Sequence, residues 1–166
     1  MLLVMASDAF AHQPVMDMAP RWKDGWGFQV RYERDDRKET TWLEGVYTFE
    51  RSVRTTLKIP FQDSKVGDMI FAVPLKKYTN FKGATQNFGL TPNLRLPTGS
   101  REGRSPRGDG SIDVGLSLSY SYESPMFYHL YDLYYWENTR GVSGIAKGDV
   151  LGFDANFGIH PYHDNE

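Results

Sequence analysis

The 166-residue chain has no cysteine, which excludes disulfide frameworks and thiolate-ligated metal centres. No stretch approaches the ~18 consecutive apolar residues of a transmembrane helix. Neither sign of charge prevails: 19 Lys and Arg stand against 21 Asp and Glu, spread along the chain rather than clustered. Such a balance carries no electrostatic case for nucleic acid. Low-complexity tracts, close repeats and helix-period apolar runs are missing as well. A low mean hydropathy, −0.53, does not exclude a membrane barrel, in which only alternate strand residues are apolar.

What the chain does have is aromatic residues, 14% of the total, with 16 Gly and 9 Pro set between short alternating runs. That pattern is all-β. Residues 111–122 show it most cleanly. Ile112, Val114, Leu116, Leu118, Tyr120 and Tyr122 fall on one face, and Ser111, Asp113, Gly115, Ser117, Ser119 and Ser121 on the other. Strand side chains alternate with period 2, so one face is apolar and the other small and polar.

Seven further strands read similarly. Strand one sets Trp26, Phe28, Val30 and Tyr32 against Gly27, Gln29, Arg31 and Glu33, and residues 34–39 read as a charged loop. Strand two, about 41–50, places Trp42, Glu44, Val46, Thr48 and Glu50 on its polar side, and strand three carries Arg54, Thr56 and Lys58. Met69, Phe71, Val73 and Leu75 mark strand four, where Pro74 weakens a central position, and residues 77–85 read as a turn. Strand five opposes Phe88, Leu90, Pro92, Leu94 and Leu96 to Asn87, Gly89, Thr91, Asn93 and Arg95. The run at 111–122 is strand six. Strand seven, about 127–136, is too aromatic for its facing to be assigned, and strand eight sets Leu151, Phe153, Ala155, Phe157 and Ile159 against Gly152, Asp154, Asn156, Gly158 and His160.

A soluble sandwich would bury the apolar faces against a second sheet; a membrane barrel would turn them to lipid and the charged faces to a wet lumen. Loop lengths favour the barrel. Charged or Gly-rich loops follow strands one, three, five and seven, and mostly shorter turns follow two and six; long loops on one side and short turns on the other are the pattern of outer-membrane proteins. The turn at 77–85 is the exception. The expected fold is thus an antiparallel up-and-down transmembrane β-barrel over residues 25–166. Residues 1–11 read as a residual signal peptide, with Ala9-Phe10-Ala11 as a small-x-small cleavage site, and 12–24 as an irregular lead-in.

Gly67-Asp68-Met69, Leu94-Arg95-Leu96-Pro97-Thr98-Gly99, Gly108-Asp109-Gly110-Ser111 and Gly148-Asp149-Val150 stand in order at strand ends. This series resembles the Gram-negative outer-membrane barrels grouped as the "MetA-pathway of phenol degradation" transporter-like family. The likeness covers roughly residues 67–162 and extends more faintly back to Trp26. The resemblance implies a monomeric barrel that passes small, often aromatic or hydrophobic, compounds across the outer membrane. Catalytic residues form no part of the family's pattern. Complete barrels of this kind close on a strand ending in an aromatic residue, whereas this chain ends His163-Asp164-Asn165-Glu166. A fragment of about eight strands from a larger barrel is expected, forming an open sheet with two exposed edges.

Candidate chemistry is sparse. His160 and His163, or His12 with Met16 and Met18, are weak metal-ligand sets, and a polar turn and a plain lead-in are the simpler readings. His129 and Asp132 near Ser119, Ser121 and Ser124 suggest a hydrolase, but three residues apart on a strand they lie on opposite faces and cannot cooperate. Arg101, Arg104 and Arg107 form a basic loop suited to lipopolysaccharide phosphates or simply to water. No cofactor and no enzymatic activity are expected. The candidate functional residues are the lumen-facing charges Arg31, Glu33, Glu44, Arg54, Lys58, Arg95, Asp113 and Asp154, which tune passage or pair with one another to fill the interior. Expected partners are outer-membrane lipid and lipopolysaccharide, small solutes and the barrel-assembly machinery. A structural or adhesive barrel with a plugged lumen, or a soluble extracytoplasmic β-sandwich binding protein, are the alternatives.

Overall fold

A computed structural model describes residues 24–35, 38–62, 65–81, 83–100, 108, 110–141 and 148–159. The signal-peptide and lead-in expectations, apart from Asp24, lie outside the described residues. So do Arg101, Arg104 and Arg107 and the metal-ligand candidates His12, Met16, Met18, His160 and His163. Ten strands make up one sheet: β1 (Gly25–Asp35), β2 (Lys38–Glu50), β3 (Val53–Gln62), β4 (Lys65–Val66), β5 (Met69–Ala72), β6 (Leu75–Phe81), β7 (Ala84–Leu96), β8 (Asp113–Glu123), β9 (Phe127–Glu137) and β10 (Val150–Ile159). No helix occurs among the described residues.

Every pairing is antiparallel and follows chain order. The three short strands occupy one place in that order. β4, β5 and β6 all pair with β3, and β5 and β6 also pair with β7. They are one strand broken twice. The second break falls at Val73-Pro74, where proline has no N–H for the ladder; around it Arg54 N donates to Pro74 O at 3.2 Å and Val73 N to Pro92 O at 3.0 Å. Ten elements therefore fill eight sheet positions, with β1 and β10 at the two ends of the order.

Three sequence expectations change. Residues 77–81 continue as β6, paired with β7 from Leu75↔Leu90 to Phe81↔Ala84, so most of the expected turn at 77–85 is strand. The polar Lys77-Tyr78-Thr79-Asn80 run reads as turn because apolar alternation fades there, but a ladder needs only backbone groups and a neighbour. The charged loop at 34–39 is also shorter, since the ladder extends to Arg34↔Glu39 and Asp35↔Lys38. Finally, β9 acquires a definite facing from its partners. Leu118↔Leu133 and Tyr120↔Tyr131 put Leu133 and Tyr131 on the apolar face, while Ser119↔Asp132 and Ser117↔Tyr134 put Asp132 and Tyr134 on the polar one.

With these changes the ends of the sheet differ clearly. At one end the connections β1–β2, β3–β4, β7–β8 and β9–β10 span 2, 2, 16 and 12 residues; at the other, β2–β3, β6–β7 and β8–β9 span 2, 2 and 3.

The two faces are inverted relative to a soluble domain. Among the described residues the buried apolar side chains are Val46 and Ala72, whereas 25 large apolar side chains are exposed, from Phe71 at 37% to Ile159 at 81%. Glu44, Thr48 and Asp113 are fully buried. Strict alternation brings this about: each strand sends its polar residues to one face, where neighbouring side chains cover one another.

Candidate functional site

Register places all eight sequence-selected charges on the polar face. Glu44 pairs with Gln29 on one side and Lys58 on the other; Lys58 leads through Ile70 to Arg95 and Asp113. Directly paired residues of an antiparallel sheet share a face, so Arg31, Glu33, Arg54 and Asp154 follow by parity along β1, β3 and β10. Sequence reasoning missed Lys76 and Asp132. The first falls between Leu75, the last residue marked for strand four, and the stretch 77–85 read as a turn; the second lies in the strand whose facing only its neighbours decide.

The charges fall into two clusters and one row along a single register line. In the first cluster the buried Glu44 carboxylate accepts Gln29 Nε2 at 2.7 Å and Arg31 Nε and Nη2 at 3.2 and 3.0 Å. Arg31 also pairs with Glu33, and Trp42 Nε1 donates to Glu33 at 2.8 Å. The Arg31 guanidinium lies 5.5 Å from the centroid of the Trp42 ring. A carboxylate removed from water survives only with such compensation.

The second cluster ties wall to loop. Arg95 Nη1 meets Asp113 Oδ2 at 3.1 Å, and Thr139 N donates to Asp113 Oδ1 at 2.9 Å. Thr139 Oγ1 donates to Ile112 O at 2.8 Å, while Asn138 N and Tyr135 Oη both donate to Asp149, at 3.2 and 3.0 Å. Trp136 lies beneath the Arg95 guanidinium, 4.5 Å from ring centroid to carbon.

The motif series meets at the same end of the sheet. Asp68 Oδ1 accepts Gly99 N at 2.9 Å, Thr98 Oγ1 accepts Met69 N at 2.9 Å, and Ser100 N donates to Val66 O at 2.8 Å. A Cβ at Gly108 would lie 2.4 Å from Asp68 Oδ1, so only glycine admits that approach. These motifs therefore build a rim clasp. Thr98 and Gly99 serve turn chemistry.

The third group crosses five strand places in one register line: Lys76↔Gly89, Gly89↔Ser119, Ser119↔Asp132, Asp132↔Asp154. Asp132 Oδ1 is buried and has no hydrogen-bond partner. The hydrolase candidates do not assemble: His129 is opposite Tyr122 on the apolar face and Asp132 is opposite Ser119 on the polar face. No cluster of three metal-ligating side chains occurs among the described residues.

On the apolar face an aromatic band runs beside the short turns. Phe88 and Tyr120 rings lie 4.8 Å apart, Tyr122 stacks on His129 at 5.4 Å, and Tyr131 meets Phe157 at 5.7 Å; Tyr47 and Phe49 continue the band at 4.8 Å.

No match was found among curated proteins or among solved structures. A family profile does match, over residues 24–164, and that span takes in every strand and the entire motif series described above. The chain belongs to the family described as "Putative MetA-pathway of phenol degradation".

Proposed function

We propose that this sheet is the wall of a Gram-negative outer-membrane β-barrel whose polar face lines a passage for small solutes. The observation that carries this reading is the inversion of the two faces. Each large apolar side chain left in water forgoes about 1.5–3 kcal/mol of burial. Summed over the exposed face, even partial losses rival the ~5–15 kcal/mol by which a domain is stable. Lipid removes the cost. Strand lengths support the same reading: β1, β8 and β9 have 11 residues and β10 has 10, against the ~9–11 of a tilted membrane strand. The aromatic band beside the short turns suits a membrane interface, with those turns on the periplasmic side.

The family's description names a phenol-degradation pathway, and admitting a small aromatic or hydrophobic solute is the part such a wall fits in one. Binding and passage are the wall's work, with no catalytic step and no cofactor. Outer-membrane lipid and lipopolysaccharide would surround it after delivery by the barrel-assembly machinery. A second reading, a structural barrel with a filled interior, is favoured by the Glu44 and Asp113 clusters, which satisfy their own charges. Conductance separates the two. Protein refolded in detergent should migrate differently before and after heating and should conduct in planar bilayers. A shift without conductance favours the filled barrel, and protein soluble in plain buffer with no shift defeats the membrane reading.

A further inference from the structure

The polar face is sorted by sign. Among the described residues, the charged side chains that β3 to β7 place on it are all cationic: Arg54, Lys58, Lys65, Lys76 and Arg95. Those that β8 to β10 place on it are all anionic: Asp113, Glu123, Asp132 and Asp154. Of the β1 and β2 charges, Arg31, Glu33 and Glu44 close upon one another; Glu50 lies outside that cluster, in a hollow it shares with Lys76. The boundary between the sectors is stitched by the Arg95–Asp113 pair.

Much of this charge is out of reach. Arg54 and Asp113 are buried, and Lys58 stands opposite the buried Glu44. Lys76, Asp132 and Asp154 are partly exposed, and they share one register line with only Gly89 and Ser119 between them. Three strand spacings of ~4.8 Å separate Lys76 from Asp132, roughly 14 Å of backbone. The Lys76 chain spans part of that gap, its Cγ lying 3.7 Å from where a Gly89 Cβ would stand. Beyond it is a low floor of a glycine and a serine, ending at two carboxylates placed directly opposite each other. Like charges side by side repel, and a cationic group between them relieves that repulsion.

We propose that the Lys76–Gly89–Ser119–Asp132–Asp154 row is a subsite for small zwitterionic solutes. The ammonium end rests against Asp132 and Asp154, and the carboxylate end points to Lys76. Opposite charges on the two ends of a short floor orient a dipole and give little to an uncharged polyol of the same size. The inference rests on the passage reading and is tested so that the two can fail separately.

The test is liposome swelling with the full chain, using γ-aminobutyric acid and erythritol as solutes of similar size. The wild type should pass the zwitterion faster than the polyol by about twofold or more. The double variant Asp132→Asn, Asp154→Asn should bring the ratio close to one. Lys76→Gln, on a different strand, should lower the same ratio, so the test survives if the double variant fails to fold. Equal entry of both solutes in the wild type, or a ratio unmoved by these substitutions, overturns the subsite and leaves the passage standing. Entry of neither solute overturns the passage and the subsite with it.

Discussion

The indole of Trp136 fills the space that a side chain at Gly115 would need: a Cβ there would lie 2.7 Å from the ring. Gly115 and Trp136 are direct partners across β8 and β9, and the Arg95 guanidinium covers the same ring. The tryptophan is thus held between a bare stretch of backbone and a cation. Gly115→Val should displace the ring and cost about 1–3 kcal/mol, the scale of overpacking in a fitted site. Denaturant midpoints of the refolded protein in micelles would show it. Adding Trp136→Ala should recover part of the loss, because the clash is then gone.

Glu44 and Glu33 belong to one cluster but differ in burial, 0% against 39% side-chain exposure. Glu44→Ala should cost about 3–5 kcal/mol, since it strands the Arg31 guanidinium and Gln29 without their buried acceptor. Glu33→Ala should cost about 0–1 kcal/mol, because water replaces what the exposed pair supplies. Equal losses in unfolding experiments would contradict the network as described.

Much of this was legible in the sequence, for a physical reason. A strand has only two faces, so strict alternation in residues 111–122 or 87–96 decides the side of each residue without any knowledge of neighbours. That is why the eight charged residues could be assigned to one face. Asp132 escaped because β9 carries aromatics on both faces, Tyr131 on one and Tyr134 on the other, and only its pairing with Ser119 settles the register. Lys76 escaped because Pro74 and a polar run resemble the end of a strand. The rim clasp is of a third kind. Asp68 and Gly99 are 31 residues apart, and no local periodicity reports such a contact; the motifs hinted at it only through family resemblance.

The rim clasp yields its own prediction. Asp68→Ala removes the acceptor of the Gly99 amide and should speed hydrogen exchange at Gly99, at a cost of about 1–3 kcal/mol for the unpaired buried group. Asp68→Asn keeps a carbonyl oxygen in place and should leave exchange at Gly99 much slower than in the alanine variant.

Depth in the membrane predicts a gradient on the apolar face. Leu118 lies at the centre of β8, and Ile112 lies just before its start. Leu118→Arg should cost about 2–4 kcal/mol when the protein folds into lipid vesicles, and Ile112→Arg about 0–1 kcal/mol. A soluble sandwich would show no such dependence on lipid.

The most direct test of the inverted faces uses the missing cysteine. Single cysteines at positions 116 to 121 of β8 can each carry a bimane label without interference from native thiols. In lipid vesicles, labels at Leu116, Leu118 and Tyr120 should be quenched by brominated acyl chains. Labels at Ser117, Ser119 and Ser121 should be spared by those chains. This two-residue alternation is the predicted result. Equal quenching along the run, or no lipid quenching at any of the six positions, would contradict a sheet that turns its apolar face to lipid.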